Sequence, residues 1–124
     1  MASGGKGLRF YGVVDADAVD PAFLRERGVS PVTYRDLTAV VKPAPYERET
    51  PDDAELQEYI QLIDALGVRG PVIPAPPGTV FRDDSVLKRW MDVHYAKLHE
   101  VLALIEQQSD GRAPYDYVRM ELGA

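Results

Sequence analysis

The 124-residue sequence predicts one α+β domain, and three patterns in it carry that expectation. An aromatic and β-branched run over residues 8–14 (LRFYGVV) opens the chain as a strand. Two short apolar runs, 32–36 and 38–42, meet in a tight turn near 35–37 and read as a pair of strands. Two apolar stripes with the 3.6-residue period, over 56–66 and 86–105, read as helices.

Each element has its own local cause. Gly12 inside the first strand marks a bulge or a close backbone approach. Asp20 is placed to cap a helix, Pro21 to occupy its first position and Gly28 to follow its last turn, which predicts a short helix over 21–27. Residues 43–49 read as a loop, interrupted by Pro43 and Pro45. Thr50, Pro51, Asp52 and Asp53 start the second helix with a capping hydroxyl, a proline at the first position and acids at the positive dipole end. Leu56, Tyr59, Ile60, Ile63 and Leu66 line its apolar face, and Gly67 ends it. Residues 71–74 (PVIP) form a short buried strand whose terminal prolines limit its ladder, and 75–79 (APPGT) a rigid turn.

The longest helix begins at Asp83 or Asp84 and runs to about residue 108, with Val86, Leu87, Trp90, Met91, His94, Leu98, Val101, Leu102 and Ile105 in one stripe. Asp110 and Gly111 stop it. Residues 115–122 (YDYVRMEL) alternate like a strand with one wet face. Residues 1–7 (MASGGKG) read as a disordered tail, which leaves 8–124 as the domain. The order β-α-β-β-α-β-α-β is a ferredoxin-like, split β-α-β pattern, with helices expected on one face of the sheet.

Charge narrows the partners. Fourteen Lys and Arg against twenty Asp and Glu leave a net charge of −6, and the basic residues are scattered singly or in pairs such as Lys88 and Arg89. Binding nucleic acid needs clustered cations, and an anionic membrane surface needs the same, so neither partner is expected. A basic or apolar protein surface suits the chain better. No apolar run approaches the roughly 18 residues that span a bilayer, and no signal-peptide core follows the N-terminus, so a cytoplasmic location is expected.

The same reading finds no chemistry. The chain has no Cys, which excludes thiolate catalysis and cysteine zinc sites. Gly4, Gly5, Lys6 and Gly7 lack phosphate-loop spacing and a preceding strand. His94 and His99 stand five apart, on different faces of a helix, where two zinc ligands would stand four apart; His94 falls in the apolar stripe and His99 toward solvent. The acid pairs Asp52–Asp53 and Asp83–Asp84 sit at helix starts, where they cap. No G-x-S-x-G occurs and Asn is absent, so no nucleophile elbow or asparagine oxyanion donor exists. No catalytic residue, cofactor or metal is expected. The unusual stretch is 71–81, PVIPAPPGTVF, in which four prolines and a glycine fix the backbone at low entropic cost. It reads as a stiff connection or as a preorganised ridge for a partner.

At this stretch the sequence resembles the N-terminal domain of the gas vesicle GvpL/GvpF family. Three segments agree in order: Phe10-Tyr11-Gly12-Val13-Val14; Asp36-Leu37-Thr38-Ala39-Val40-Val41; and Pro71-Val72-Ile73-Pro74 with Gly78-Thr79-Val80-Phe81. The resemblance covers roughly residues 8–122. Two departures stand out: Pro76-Pro77 replaces the family's Arg-Phe, and Tyr59 stands where the family tends to carry a His. The resemblance implies a non-enzymatic accessory protein of gas vesicle formation, associated with gas vesicles. Its implied partners are the small hydrophobic shell protein and other gas vesicle accessory proteins. Candidate contacts are Pro76, Pro77, Thr79 and Phe81, with Tyr115 and Tyr117 on the last strand. A rival expectation is a small-molecule sensor or enzyme-like domain with a pocket gathering Tyr59, His94 and Arg119. A third is a self-assembling subunit with a flat apolar interface.

Overall fold

The computed structural model describes residues 6–47 and 50–107. Among the described residues, five strands and four α-helices follow one another, with one 3-10 turn at Ala16–Ala18: β1 (Lys6–Asp15), α1 (Pro21–Glu26), β2 (Ser30–Tyr34), β3 (Leu37–Pro45), α2 (Asp53–Arg69), β4 (Val72–Pro74), β5 (Val80–Phe81), α3 (Asp84–Val93) and α4 (Tyr95–Gln107). The sheet is antiparallel in the order β2-β3-β1-β4, with β5 pairing β1 beside β4. The expected closing strand over 115–122 lies outside the described residues.

The helices cover both faces of this sheet, which corrects the one-face expectation. Phe10, Val13, Leu37, Ala39, Val41 and Ile73 pack against Leu87 and Met91 of α3 and Leu98, Val101 and Ile105 of α4. On the other face Tyr11, Val14, Val40 and Val72 meet Phe23 and Leu24 of α1 and Leu62, Ile63 and Leu66 of α2. The cause is visible in the unbroken apolar runs of the central strands. A strand with one wet face alternates, whereas residues 37–41 are buried at every position.

Gly12 sets the parity of β1. The pairing runs Phe10 opposite Val41 and then Gly12 opposite Val40, so Tyr11 is an extra residue in a β-bulge. The slip puts Phe10 and Val13 on the same face, although they stand three apart. Both readings of Gly12 hold, because a Cβ there would also come within 2.7 Å of the Ile73 carbonyl oxygen on β4.

Four boundaries differ from expectation, each for a local reason. Residues 43–45 belong to β3, because a two-residue turn at Arg35 and Asp36 directs the odd positions of β3 toward β2. Since β2 ends at Ser30 opposite Val41, the missing N–H groups of Pro43 and Pro45 face no partner strand. The second helix is capped by Asp52, not Thr50. Asp52 and Glu55 form a reciprocal capping box, with the Glu55 N–H donating to Asp52 Oδ1 at 2.8 Å and the Asp52 N–H to Glu55 Oε1 at 3.0 Å. That helix runs through Gly67 to Arg69, whose guanidinium lies 3.9 Å from the Phe23 ring centroid. A helical glycine costs about 1 kcal/mol, which one more turn with such a contact offsets. Lastly, the long helix breaks at His94, so α3 packs on β2 and β5 while α4 packs on β4 and β1. Two shorter helices follow a twisted sheet better than one straight rod. His94 is consequently exposed rather than in the stripe, its ring 5.1 Å from Trp90.

Candidate functional site

The 71–81 segment leaves the sheet and returns to it. β4 lies against the bulged half of β1, where the Ala75 N–H donates to the Tyr11 carbonyl at 2.9 Å. The chain then reverses over residues 76–79. The Thr79 N–H donates to the Pro76 carbonyl at 3.2 Å, the Thr79 hydroxyl donates to the same oxygen at 2.6 Å, and Gly78 has φ 86°. This is a type II turn with Pro77 at its second position and glycine at its third, the one that needs positive φ. The return is pinned by the Phe10 N–H donating to the Thr79 carbonyl at 2.9 Å and by β5 pairing with Leu8 and Arg9.

Side chains of neighbouring elements hold the turn from below. The Tyr59 hydroxyl on α2 donates to the Ala75 carbonyl at 2.5 Å, immediately before the two prolines. Arg9, beside the turn on β1, pairs with Glu55 on α2 at 2.8 Å. Burial alone would lower the Arg9 pKa, but the hydrogen bond and charge of Glu55, together with the neighbouring Tyr11, more than offset it. Glu55 is held below the usual carboxylate range, first by the Asp52 backbone N–H and then by Arg9. The capping box and the Arg9 ion pair therefore share one carboxylate.

Pro76 and Pro77 are exposed at the tip, while Thr79 is half-buried and supplies the turn's internal hydrogen bonds. Phe81 directs its ring inward, with centroids 5.5 Å from Phe10 and 5.8 Å from Trp90. Tyr115 and Tyr117 lie outside the described residues. The structure adds Tyr46, which lies in the segment expected as a loop. It follows β3 directly, is 48% exposed, and with Thr79 and Val80 borders an open groove of about 400 Å³. Gly7 allows this approach, since a Cβ on it would stand 3.0 Å from the Tyr46 Cβ and from Val80. The sequence VKPAPY over 41–46 carries no strand pattern of its own, because its two prolines interrupt it.

The trio of the rival expectation does not assemble. Tyr59 packs on the α1/α2 face of the sheet, whereas His94 is exposed beside Trp90 on the other face. Arg119 lies outside the described residues. Among the described residues, no group of three or more His, Asp or Glu could hold a metal ion, and no helix is long and apolar enough to cross a membrane.

The comparisons with known proteins agree with this architecture. The fold matches the crystal structure of the gas vesicle protein GvpF from Anabaena sp. PCC7120 with a TM-score of 0.67 at 18% identity. The match covers 82% of this chain and 44% of that one, so the chain spans less than half of that protein's length. No curated protein matches the sequence. The family model of the gas vesicle synthesis protein GvpL/GvpF matches residues 7–110, from the start of β1 past the end of α4, and the chain belongs to that family.

Proposed function

We propose that this chain is a non-enzymatic accessory protein of gas vesicle assembly, working in the cytoplasm in association with gas vesicles. Its partner is the hydrophobic shell protein, or another gas vesicle protein, engaged through the rigid turn at 76–79 and the neighbouring Tyr46. The observation that carries this reading is the exposed proline pair on a turn closed by two hydrogen bonds to one carbonyl. Such a ridge loses little conformational entropy on binding. Tyr46 beside it supplies the large amphipathic contact that interfaces favour. The order β2-β3-β1-β4, in which β3 separates β1 from β2, supports a ferredoxin-like reading of the sheet with β5, α3 and α4 added.

A pulldown of purified shell protein tests the reading, run beside a Pro76→Arg, Pro77→Phe variant and a Tyr46→Ser variant. Saturable capture that suppresses shell-protein aggregation, weakened by Tyr46→Ser, is the expected result. Equal capture by all forms would move the contact elsewhere. No capture by any form would remove the shell protein as the partner.

A further inference from the structure

Pro31 of β2, Pro43 and Pro45 of β3 and Pro74 of β4 stand inside strands, and their backbones share one direction relative to the sheet. Along a strand each residue turns its N–H and C=O to one side and the next residue turns them to the other. The two-residue turn at Arg35 and Asp36 makes Tyr34 and Leu37 a bonded pair, and the register carries that pairing to Val32 with Ala39 and Ser30 with Val41. Pro31 and Thr33 therefore face the free side of β2, while Pro43 and Pro45 face the open lane beyond its end. On β4 the Ala75 N–H donates to Tyr11, so Pro74 also turns away from β1.

The two edges of the sheet differ in cover. Val72 and Pro74 of β4 are buried, whereas Pro31, Thr33, Pro43 and Pro45 are all exposed. Among the described residues β2 pairs with β3 alone. An exposed edge is a template for another strand, because its outward N–H and C=O groups are unpaired. Here three of the four outward positions are prolines, which keep the carbonyl and lack the N–H. A strand laid beside Pro43 and Pro45 would meet two acceptors and no donor. Its own carbonyls would lose water there without gaining a partner. Laid beside β2, it would meet one donor, on Thr33. Pro31 and Pro43 lie within their strands, where no turn asks for proline.

We propose that Pro31, Pro43 and Pro45 bar this edge to strand addition by a second copy of this chain. The edge stays open to water and closed to a backbone, so chains held close together do not join sheet to sheet. Contacts with other proteins are then made by side chains, the backbone being withheld. This reading stands whether or not the turn at 76–79 binds the shell protein.

The test is sedimentation velocity on the full chain over a concentration series, beside a Pro43→Thr, Pro45→Thr variant and a Pro31→Thr variant. Threonine restores the N–H and favours strands without adding a large apolar surface. The two variants open separate lanes, and far-UV circular dichroism confirms the fold of each, so a folding failure in one leaves the other as the test. Each folded variant should self-associate at least about tenfold more tightly than wild type, the equivalent of one or two net hydrogen bonds. Hydrogen exchange at the amides restored at 31, 43 and 45 should slow as concentration rises. Folded variants that associate no more than wild type would overturn the proposal. So would association that leaves the restored amides exchanging at an unprotected rate, because the contact would then lie off the edge.

Discussion

The Tyr95 hydroxyl donates to Asp36 Oδ1 at 2.5 Å and so joins the first residue of α4 to the turn between β2 and β3. His99 Nε2 lies 2.9 Å from the same oxygen, and Tyr34 extends the cluster by donating to Asp92 on α3. The Tyr95 hydrogen bond, then that of His99, holds the Asp36 carboxyl below its usual range, and Asp36 in turn pushes Tyr95 up. A depressed carboxylate adds stability that is present above its unfolded pKa and lost as pH falls through its folded one. For Tyr95, raised when folded, the contribution is present below its unfolded pKa near 10 and lost as pH rises through the folded value. Asp36→Asn should therefore lower the urea midpoint at neutral pH, and the gap from wild type should close below pH 3.8. A gap that persists there would show that the carboxylate's charge is not what binds α4 to the turn.

Arg35 at the tip of that turn has φ 55°, a left-handed conformation that costs a side chain about 1–2 kcal/mol. Its guanidinium lies 5.0 Å from the Tyr95 ring centroid and 5.4 Å from that of Tyr34, contacts worth about 0.5–1 kcal/mol each when exposed. Strain and stacking thus nearly cancel. Arg35→Gly should change stability little, and Arg35→Ala, which keeps the strain and loses the cation, should be about 1 kcal/mol less stable than Arg35→Gly. Equal midpoints for the two variants in urea would remove the strain from the account.

The capping assignment separates two residues two positions apart. Asp52→Ala should cost about 1 kcal/mol, the usual loss of an N-cap, and should free Glu55 from one side of its box. Thr50→Ala should change stability by less than about 0.5 kcal/mol. Thermal unfolding of the two single variants checks this, and a larger effect at Thr50 would restore the cap that sequence alone suggests.

These cases show what a sequence declares and what it withholds. Local chemistry was legible: Asp20 and Pro21 start α1 as expected, Gly12 marks a real bulge, and 75–79 is a rigid turn. What failed depends on neighbours. Thr50 and Asp52 are both good caps, and only the reach of Glu55 decides between them. Pro43 breaks a ladder only if a strand lies on its N–H side, which depends on where β2 ends. Residues 10–14 and 37–41 are apolar on both faces apart from Thr38, the pattern of strands covered by two helical layers. At the candidate site the prolines were legible and Tyr46 was not, because its position beside Val80 comes from pairing across β1.

Gly12→Ala tests the close approach of β1 and β4. A Cβ 2.7 Å from the Ile73 oxygen meets backbone, which cannot swing aside like a side chain. Overpacking of this kind costs about 1–3 kcal/mol, and the expected structural result is loss of the β4 pairing. The Ala75 N–H, which donates to Tyr11 on the same stretch, should then exchange with solvent faster. A variant with wild-type stability would mean that β4 moves outward without loss.

Tyr59→Phe asks whether α2 controls the turn. The hydroxyl it removes donates to the Ala75 carbonyl at 2.5 Å, and its loss should cost about 0.5–1.5 kcal/mol. The greater consequence is local. Ala75 is the last buried residue before Pro76 and Pro77, so the carbonyl that Tyr59 holds is the hinge from which the turn projects. With that anchor gone, the Thr79 N–H, bonded to Pro76 inside the turn, should keep its protection because the prolines fix their own backbone. The Phe10 N–H, bonded to the Thr79 carbonyl, should lose protection, because the whole turn tilts as a unit. Hydrogen exchange at these two amides separates a stiff turn on a loosened hinge from a turn that melts. The first outcome makes the proline pair and Tyr59 separate contributors to preorganisation, one internal and one positional. Loss of protection at both amides would make the turn's rigidity a property of its anchoring and not of its prolines.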